Sequence, residues 1–275
     1  MVETSQTHSF TKRKSESGLG LVEGPDFRQK MRRDMPQCKE EPTEFDGYAS
    51  RYNDLRSCST GSGRNAITYY DEYKVRHISR DLRVRARASP ARILDYGCGI
   101  GNSAPHLSRH FPGALIVGVD MSSTSIEHAR AQCRCLDRVS FAHLGDRAFA
   151  GGELFDLALI SNVLHHAAPS THSGIISLVK SRLAPGGHLY IFEHNPLNPL
   201  TRLAVHRCPF NANAILLLAR QACSLLVGSG FEEVVIQYTL FAPACLRFLG
   251  FIERYLHGLP FGAQYCARAT APRPA

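Results

Sequence analysis

The sequence predicts an α/β fold, a mostly parallel sheet with helices on both faces, preceded by a helical lid. Two observations predict it. From residue 92 onward, short β-branched or aliphatic runs alternate with stretches of helix length, and the first run ends in a glycine-rich turn that opens a helix. The runs are 92–95, 115–119, 139–142, 155–160 and 188–193. Between them, 103–110, 123–134 and 171–183 have helix length, and Pro185-Gly186-Gly187 stops the last of these. Beyond Glu193 the pattern gives a proline-rich loop at 195–199, a helix near 212–227, a strand near 233–237, an aromatic segment at 241–261 and a last strand at 264–269.

Upstream of this region the rhythm differs. Residues 1–42 are polar, punctuated by Pro and Gly and without periodicity, which predicts a mobile tail. Residues 43–89 read as the lid, helical but for the turn-forming Ser57-Cys58-Ser59-Thr60-Gly61-Ser62-Gly63, with an aromatic series of Tyr48, Tyr52, Tyr69, Tyr70 and Tyr73. Residues 90–275 then form the main domain, with a cap-like insertion near 238–262.

The 275 residues are 44% hydrophobic and 20% charged, as in globular proteins. Nine cysteines would suit a disulfide scaffold in a short secreted chain, but residues 1–30 hold no apolar run of the kind a secretory signal needs. Reduced thiols in a cytoplasmic protein are expected. Cys133 and Cys135 fall on a predicted helix, where residues two apart point to different sides, so no metal site is expected. No run of 18 apolar residues suggests a membrane span. The formal charge of +8 is local: residues 74–92 hold seven basic side chains against one acidic. Arg76, Arg80, Arg83 and Arg87 recur at helical spacing opposite Val75, Ile78 and Leu82, which describes an amphipathic helix with a solvated basic face.

The turn Asp95-Tyr96-Gly97-Cys98-Gly99-Ile100-Gly101 joins a strand to a helix beginning near Ser103. Glycines let backbone approach a ligand closely, and a helix N-terminus supplies free N–H donors. Asp120 ends the next strand 19 residues after Gly101, where a carboxylate can accept from ribose hydroxyls. A dinucleotide turn would need glycine at 102, where Asn102 stands, and no Gly-Lys-Ser/Thr closes a phosphate loop.

LDYGCGIG at 94–101 resembles the D-x-G-x-G-x-G motif of class I S-adenosylmethionine (SAM)-dependent methyltransferases. The resemblance continues with VGVDMS at 117–122, GD at 145–146, FDLALISNVLHH at 155–166 and LAPGGHLYIFE at 183–193. It implies a Rossmann-like, seven-stranded, mostly parallel sheet and SAM as cofactor. By the resemblance Gly97, Gly99 and Gly101, with Cys98 in the same turn, lie under the methionine part, and Asp95 helps to hold its amino group. Asp120 would bind the ribose, Met121 would pack on adenine, and Asp146, followed by Arg147, would approach the adenine amino group, while Asn162 lines the pocket. Phe45-Asp46-Gly47-Tyr48-Ala49-Ser50-Arg51-Tyr52 resembles the F-D-x-x-A-x-x-Y segment of the small-molecule branch, which implies that Tyr48 and Tyr52 close over the cofactor.

Methyl transfer to a hydroxyl or a carbon acid needs a general base. The candidates at strand ends on the cofactor edge are His165, His166, Glu193 and His194, and adjacent His165 and His166 are not expected both to face one acceptor. A small-molecule acceptor is expected, methylated on O or C: an apolar metabolite, a lipid or a sugar derivative. Nucleic acid is disfavoured, because Ser161-Asn162-Val163-Leu164 stands where amino-methylating DNA enzymes carry D/N-P-P-Y/F. A non-catalytic SAM-binding module is the other alternative. Phe248, Ile252, Tyr255 and Leu256 share one helical side, suited to roofing the site, pairing subunits in a homodimer, or peripheral membrane contact.

Overall fold

The computed structural model describes residues 44–60, 64–146, 154–242 and 253–273, with 152, 244 and 251 as single residues between them. The chain divides into two units, Met1–Lys39 and Glu40–Ala275, of which the first, with the tail assigned to 1–42, lies outside the described residues. Arg147, Phe248 and Ile252 lie outside them too.

Seven strands form one sheet: β1 (Arg92–Tyr96), β2 (Leu115–Asp120), β3 (Val139–His143), β4 (Phe155–Ser161), β5 (Leu183–His194), β6 (Glu232–Thr239) and β7 (Gln264–Thr270), in the order β3-β2-β1-β4-β5-β7-β6. The first five run parallel, and β7 lies antiparallel between β5 and β6. The chain leaves β1 towards β2 and β3, then returns to build β4 and β5 on the other side. The carboxyl ends of β1 and β4 therefore flank a crevice at the switch point, where ligands bind in such sheets.

Leu157 to Ile160 of β4 are wholly buried, as a central parallel strand covered on both faces requires. One face is covered by α5 (His172–Ser181) and α7 (Ala219–Gly228), through Ile176, Val179, Ala222 and Leu226. The other is covered by α3 (Ala104–His110) and by α2 (Arg64–Val84), whose Val75, Ile78 and Leu82 meet Ile93, Leu157 and Phe192. Thus α2, read from sequence as part of the lid, is a layer helix of the sheet. Tyr190 donates to Asp81 (2.7 Å) and fixes its position. Of the described residues before α2, the 3₁₀ turns Glu44–Gly47 and Ala49–Arg51 and α1 (Tyr52–Thr60) remain at the cofactor edge. The basic row ends sooner than its spacing predicts, since α2 stops at Val84 and Arg87 instead pairs with Glu233.

Three other boundaries differ. Cys133 caps α4 (Ser123–Gln132), so Cys135 stands beyond the helix, and both thiols are free. Pro185-Gly186-Gly187 lies inside the long β5, with a register shift against β4. The helix expected from 212 begins at Ala219, because α6 (Pro199–His206) and the 3₁₀ turn Pro209–Asn211 occupy the preceding chain.

Gly118 in β2 shows how tightly the sheet supports the crevice. A Cβ there would sit 2.6 Å from Phe141 Cδ1 and 3.0 Å from Cys98 Sγ. Gly118→Ala is expected to cost about 1–3 kcal/mol in urea unfolding, as overpacking does, and Phe141→Leu in the same chain to recover part of that loss. Unchanged stability of the single variant would show that the ring can yield.

Candidate active site

The three turn glycines all adopt positive φ, at +72°, +52° and +83° for Gly97, Gly99 and Gly101, where side chains are strained. Their surroundings differ. A Cβ at Gly97 would collide with Val163 from the loop after β4, and one at Gly101 would come 3.0 Å from Phe141. At Gly99 it would meet nothing within 4 Å, so this backbone faces open space. Gly97 and Cys98 both donate N–H to Val119 O, at 2.8 and 3.0 Å, tying the turn to β2. Cys98 is buried, and burial together with Asp95 pushes its thiol well up, so it is no nucleophile.

Asp120 accepts from Gly99 N (2.8 Å) and Ser122 N (2.9 Å), leaving further lone pairs of its carboxylate at the crevice rim. Met121 beside it is 57% exposed. Asp146 accepts from His143 N (3.0 Å), and the His143 ring donates to Met121 O (2.8 Å), so this turn is braced against the end of β2. Asp95 is buried with Oδ2 unpartnered, and burial raises its pKa to about 7 although Lys74 pulls the other way.

The cofactor-edge segment docks through polar contacts. Asp46 accepts from Ser122 Oγ (2.5 Å) and Thr124 N (3.3 Å) at the start of α4, and Asn53 and Asn102 bond reciprocally. Tyr52 stacks on Phe210 with ring centres 4.9 Å apart, and Tyr48 meets the same ring at 6.2 Å. Arg56 makes a bidentate pair with Asp71 (2.8 and 2.9 Å). Burial would raise the Asp71 carboxyl, but the guanidinium outweighs it and holds the pKa below its ordinary value. Lys74 of α2 is 3% exposed and donates to Ser161 Oγ (2.7 Å) at the end of β4, and burial depresses its pKa to about 8.

The loop after β4 brings the four expected bases together without making them equivalent. Asn162, at φ +56°, turns the chain and accepts from Gln264 Nε2 (3.2 Å). Glu193 is wholly buried. Its Oε1 accepts from Val163 N (3.1 Å) and Leu164 N (2.8 Å), and its Oε2 bonds His165 Nδ1 (2.5 Å). Three hydrogen bonds thus already occupy the oxygens of Glu193, which was expected among the bases, and tie it to the loop after β4. The 3₁₀ turn Leu164–His166 sets the His166 ring 4.1 Å from that of His165, and His194 lies 5.1 Å from His165 on another side. Burial and the neighbouring His165 push His166 down to about 3, and burial holds His194 well below its ordinary value.

Sequence reasoning passed over Lys74, Phe210, Asn211 and Gln264. Buried Asn211 Oδ1 and Gln264 Oε1 have no hydrogen-bond partner. For Lys74 a signal existed: Asp71 and Lys74 interrupt the apolar stripe Ile67, Val75, Ile78, Leu82, and two charges on an inward face demand a reason.

A glycine turn facing open space, an unpartnered carboxylate oxygen on the strand before it and a second carboxylate ending the next strand are what a doubly wound α/β fold offers a nucleoside cofactor at its switch point. Comparison narrows the class. Residues 93–187 match the family described as a methyltransferase domain. Trans-aconitate 2-methyltransferase of Methylobacterium radiotolerans is 27% identical over 209 residues, covering 75% of this chain and 78% of that enzyme. Ubiquinone biosynthesis O-methyltransferase of Chelativorans is 33% identical over 132 residues, 47% of this chain and 50% of that one. The chain thus spans about half the length of that relative. A SAM-dependent methyltransferase of Thermotoga maritima superposes with a TM-score of 0.58 at 18% identity, over 82% of this chain and 97% of the other. Magnesium protoporphyrin IX methyltransferase of Synechocystis, with bound SAH, does so at 0.55 and 17%, over 83% and 97%. Residues 93–187 thus match a methyltransferase domain, the sheet has the fold of SAM-dependent methyltransferases, and SAM is the cofactor that such a domain takes.

The residues present fit that cofactor: Asp95 Oδ2 offers an acceptor to an ammonium, Asp120 offers lone pairs to hydroxyls, and Gly99 leaves room for the chain between them. In the folded chain Asp95 ionises near 7, against 3.8 when unfolded. Its raised pKa means that stability falls as pH rises between these values, with up to about 4 kcal/mol of cost fully present above 7. Asp95→Asn is therefore expected to be at least as stable as wild type at pH 8, yet to bind SAM at least thirtyfold more weakly by calorimetry. In the wild type the SAM Kd should rise about tenfold per pH unit below pH 6.5, as Asp95 takes up its proton. Lys74→Met should move that midpoint upward. A flat profile between pH 5.5 and 8 would exclude the coupling.

Proposed function

We propose that this chain transfers the methyl group of SAM to an oxygen of a small, largely apolar acceptor, with His166 or His194 taking the acceptor's proton. SAM supplies an already activated methyl on a sulfonium, so the residues of the chain have to align the nucleophile, exclude water and receive a proton. The observation that carries the reading is the pair of imidazoles, His166 in the turn after β4 and His194 at the end of β5, whose rings lie 4.1 and 5.1 Å from that of His165. An amine acceptor with a free lone pair would need no such pair. Glu193 acts through His165: it fixes the ring and the loop that carries His166, as orienting groups do behind catalytic imidazoles.

The rings of Tyr48, Tyr52 and Phe210 support an apolar acceptor. Arg56 is committed to Asp71, so its guanidinium is spent within the protein. The curated relatives named above act on trans-aconitate and in ubiquinone biosynthesis, and the aromatic wall here favours the latter kind of acceptor.

Labelled SAM incubated with a panel of phenols, isoprenoid alcohols, sugar derivatives and carboxylates, with products read by mass spectrometry, tests the acceptor class. Methylated carboxylates as the preferred products would overturn it. With the best acceptor, His166→Ala/His194→Ala is expected to lose about a hundredfold or more in kcat while keeping the SAM Kd. At saturating SAM the acid limb of wild-type kcat should lie below pH 5, because both rings resist protonation, and not near 6.5. Wild-type turnover by the double variant would exclude a histidine base.

A further inference from the structure

We propose that the face formed by α6 and the 255–261 turn docks peripherally on an anionic lipid surface, at the mouth of the site. Helix α6 buries Thr201 and Val205 and leaves Leu200 and Leu203, three residues apart, on the opposite side, with Leu200 76% exposed. The neighbouring turn presents Tyr255, Leu259 and Phe261, the last 68% exposed. Solvated apolar side chains are ordinary singly, but grouped on one face they mark a contact surface.

The two parts are joined rigidly. Asn198 caps α6 by accepting from Thr201 N (3.0 Å) and donates its amide to Phe261 O (2.7 Å). Asn195 donates to both Pro260 O (3.0 Å) and Gly262 O (2.8 Å), and Thr201 Oγ1 donates to Ala263 O (2.9 Å). Such bonds hold the leucines of α6 and Phe261 as one surface. Along the chain α6 lies between His194 and the turn that carries Phe210, whose ring meets those of Tyr52 and His166.

Charge selects the occupant. No Asp or Glu occurs between Glu193 and Glu232, nor after Glu253, so both parts of the face lack carboxylates of their own. Arg202 on α6 and Arg207, which caps its C-terminus, are exposed. Arg76 and Arg80 are exposed on α2, which lies alongside the turn through the stacking of His77 on His257 (5.5 Å). Among the packed neighbours, α1 contributes Asp54 as an exposed carboxylate. A two-fold contact between copies would set these arginines against each other, whereas an apolar face with a basic rim matches anionic headgroups over acyl chains. The contact is interfacial: no described helix is long and apolar enough to cross a membrane.

Sedimentation of the full chain with vesicles of phosphatidylcholine alone, or with 30% phosphatidylserine, tests this. Binding is expected to the mixed vesicles, at least tenfold above the neutral ones, and to weaken as salt rises. Leu200→Asp/Phe261→Asp should lose at least tenfold in vesicle affinity with the SAM Kd unchanged, and Arg202→Glu/Arg207→Glu should remove the preference for phosphatidylserine. Absence of wild-type binding, or equal binding by the aspartate variant, would overturn the proposal. So would a concentration-dependent dimer, seen by ultracentrifugation without lipid and abolished by the same aspartates, which would assign the face to a second copy.

Discussion

The active-site side of this molecule depends on the hydrogen bonds of one buried carboxylate. Glu193 lies at the end of β5, excluded from water, and its two oxygens hold Val163 N, Leu164 N and the His165 ring. Those three donors belong to the loop after β4, so a side chain on one strand sets the shape of the segment leaving its neighbour. Val163, fixed this way, closes on Gly97 and leaves no room for a side chain there. The cofactor turn and the acceptor loop are thereby coupled through a single carboxylate. A buried charge is tolerable only when its lone pairs are satisfied, and here three donors do so.

The same economy explains the other buried charges. Asp71 is matched by Arg56 in a bidentate pair, which joins α1 to α2 and sets Tyr52 against Phe210. Asp95 and Lys74 are not matched within the protein to that degree: one keeps an unpartnered oxygen, the other holds only a serine hydroxyl, and burial moves both towards neutrality. Groups left unsatisfied in the folded chain are free to be satisfied by a ligand. Stability is thus given up at the positions where the cofactor would restore it.

How much of this was legible in the sequence follows from whether the signal was local. The parallel core was, because alternating strands and helices and the turn at Gly97 to Gly101 are set by nearest neighbours in the chain. The partition of the 43–89 segment was not, since the apolar stripe of α2 reads the same whether it covers a lid or a sheet. Partners far along the chain reveal which: Leu157 and Phe192 against the stripe, and Tyr190, more than a hundred residues away and bonded to Asp81. Likewise, spacing placed Glu193 at the cofactor edge beside His194 but could not show that its oxygens were already taken by a loop thirty residues upstream.

The residues missed share one property: each acts from an element that reaches the site only in three dimensions. Phe210 comes from the 3₁₀ turn beyond α6, Gln264 from the antiparallel β7, and Lys74 from a helix preceding the first strand. The cofactor half of the site is built from consecutive strand ends, so its pattern survives in the sequence. The proposed acceptor half is assembled from separate excursions of the chain. Selection on the acceptor can reshape those excursions without disturbing the sheet, because the bonds of Asn195 and Asn198 tie α6 to the 260–263 turn and not to the parallel core. On the proposed function, acceptor identity is written in contacts between excursions, chiefly those that bring Tyr48, Tyr52 and His166 around Phe210.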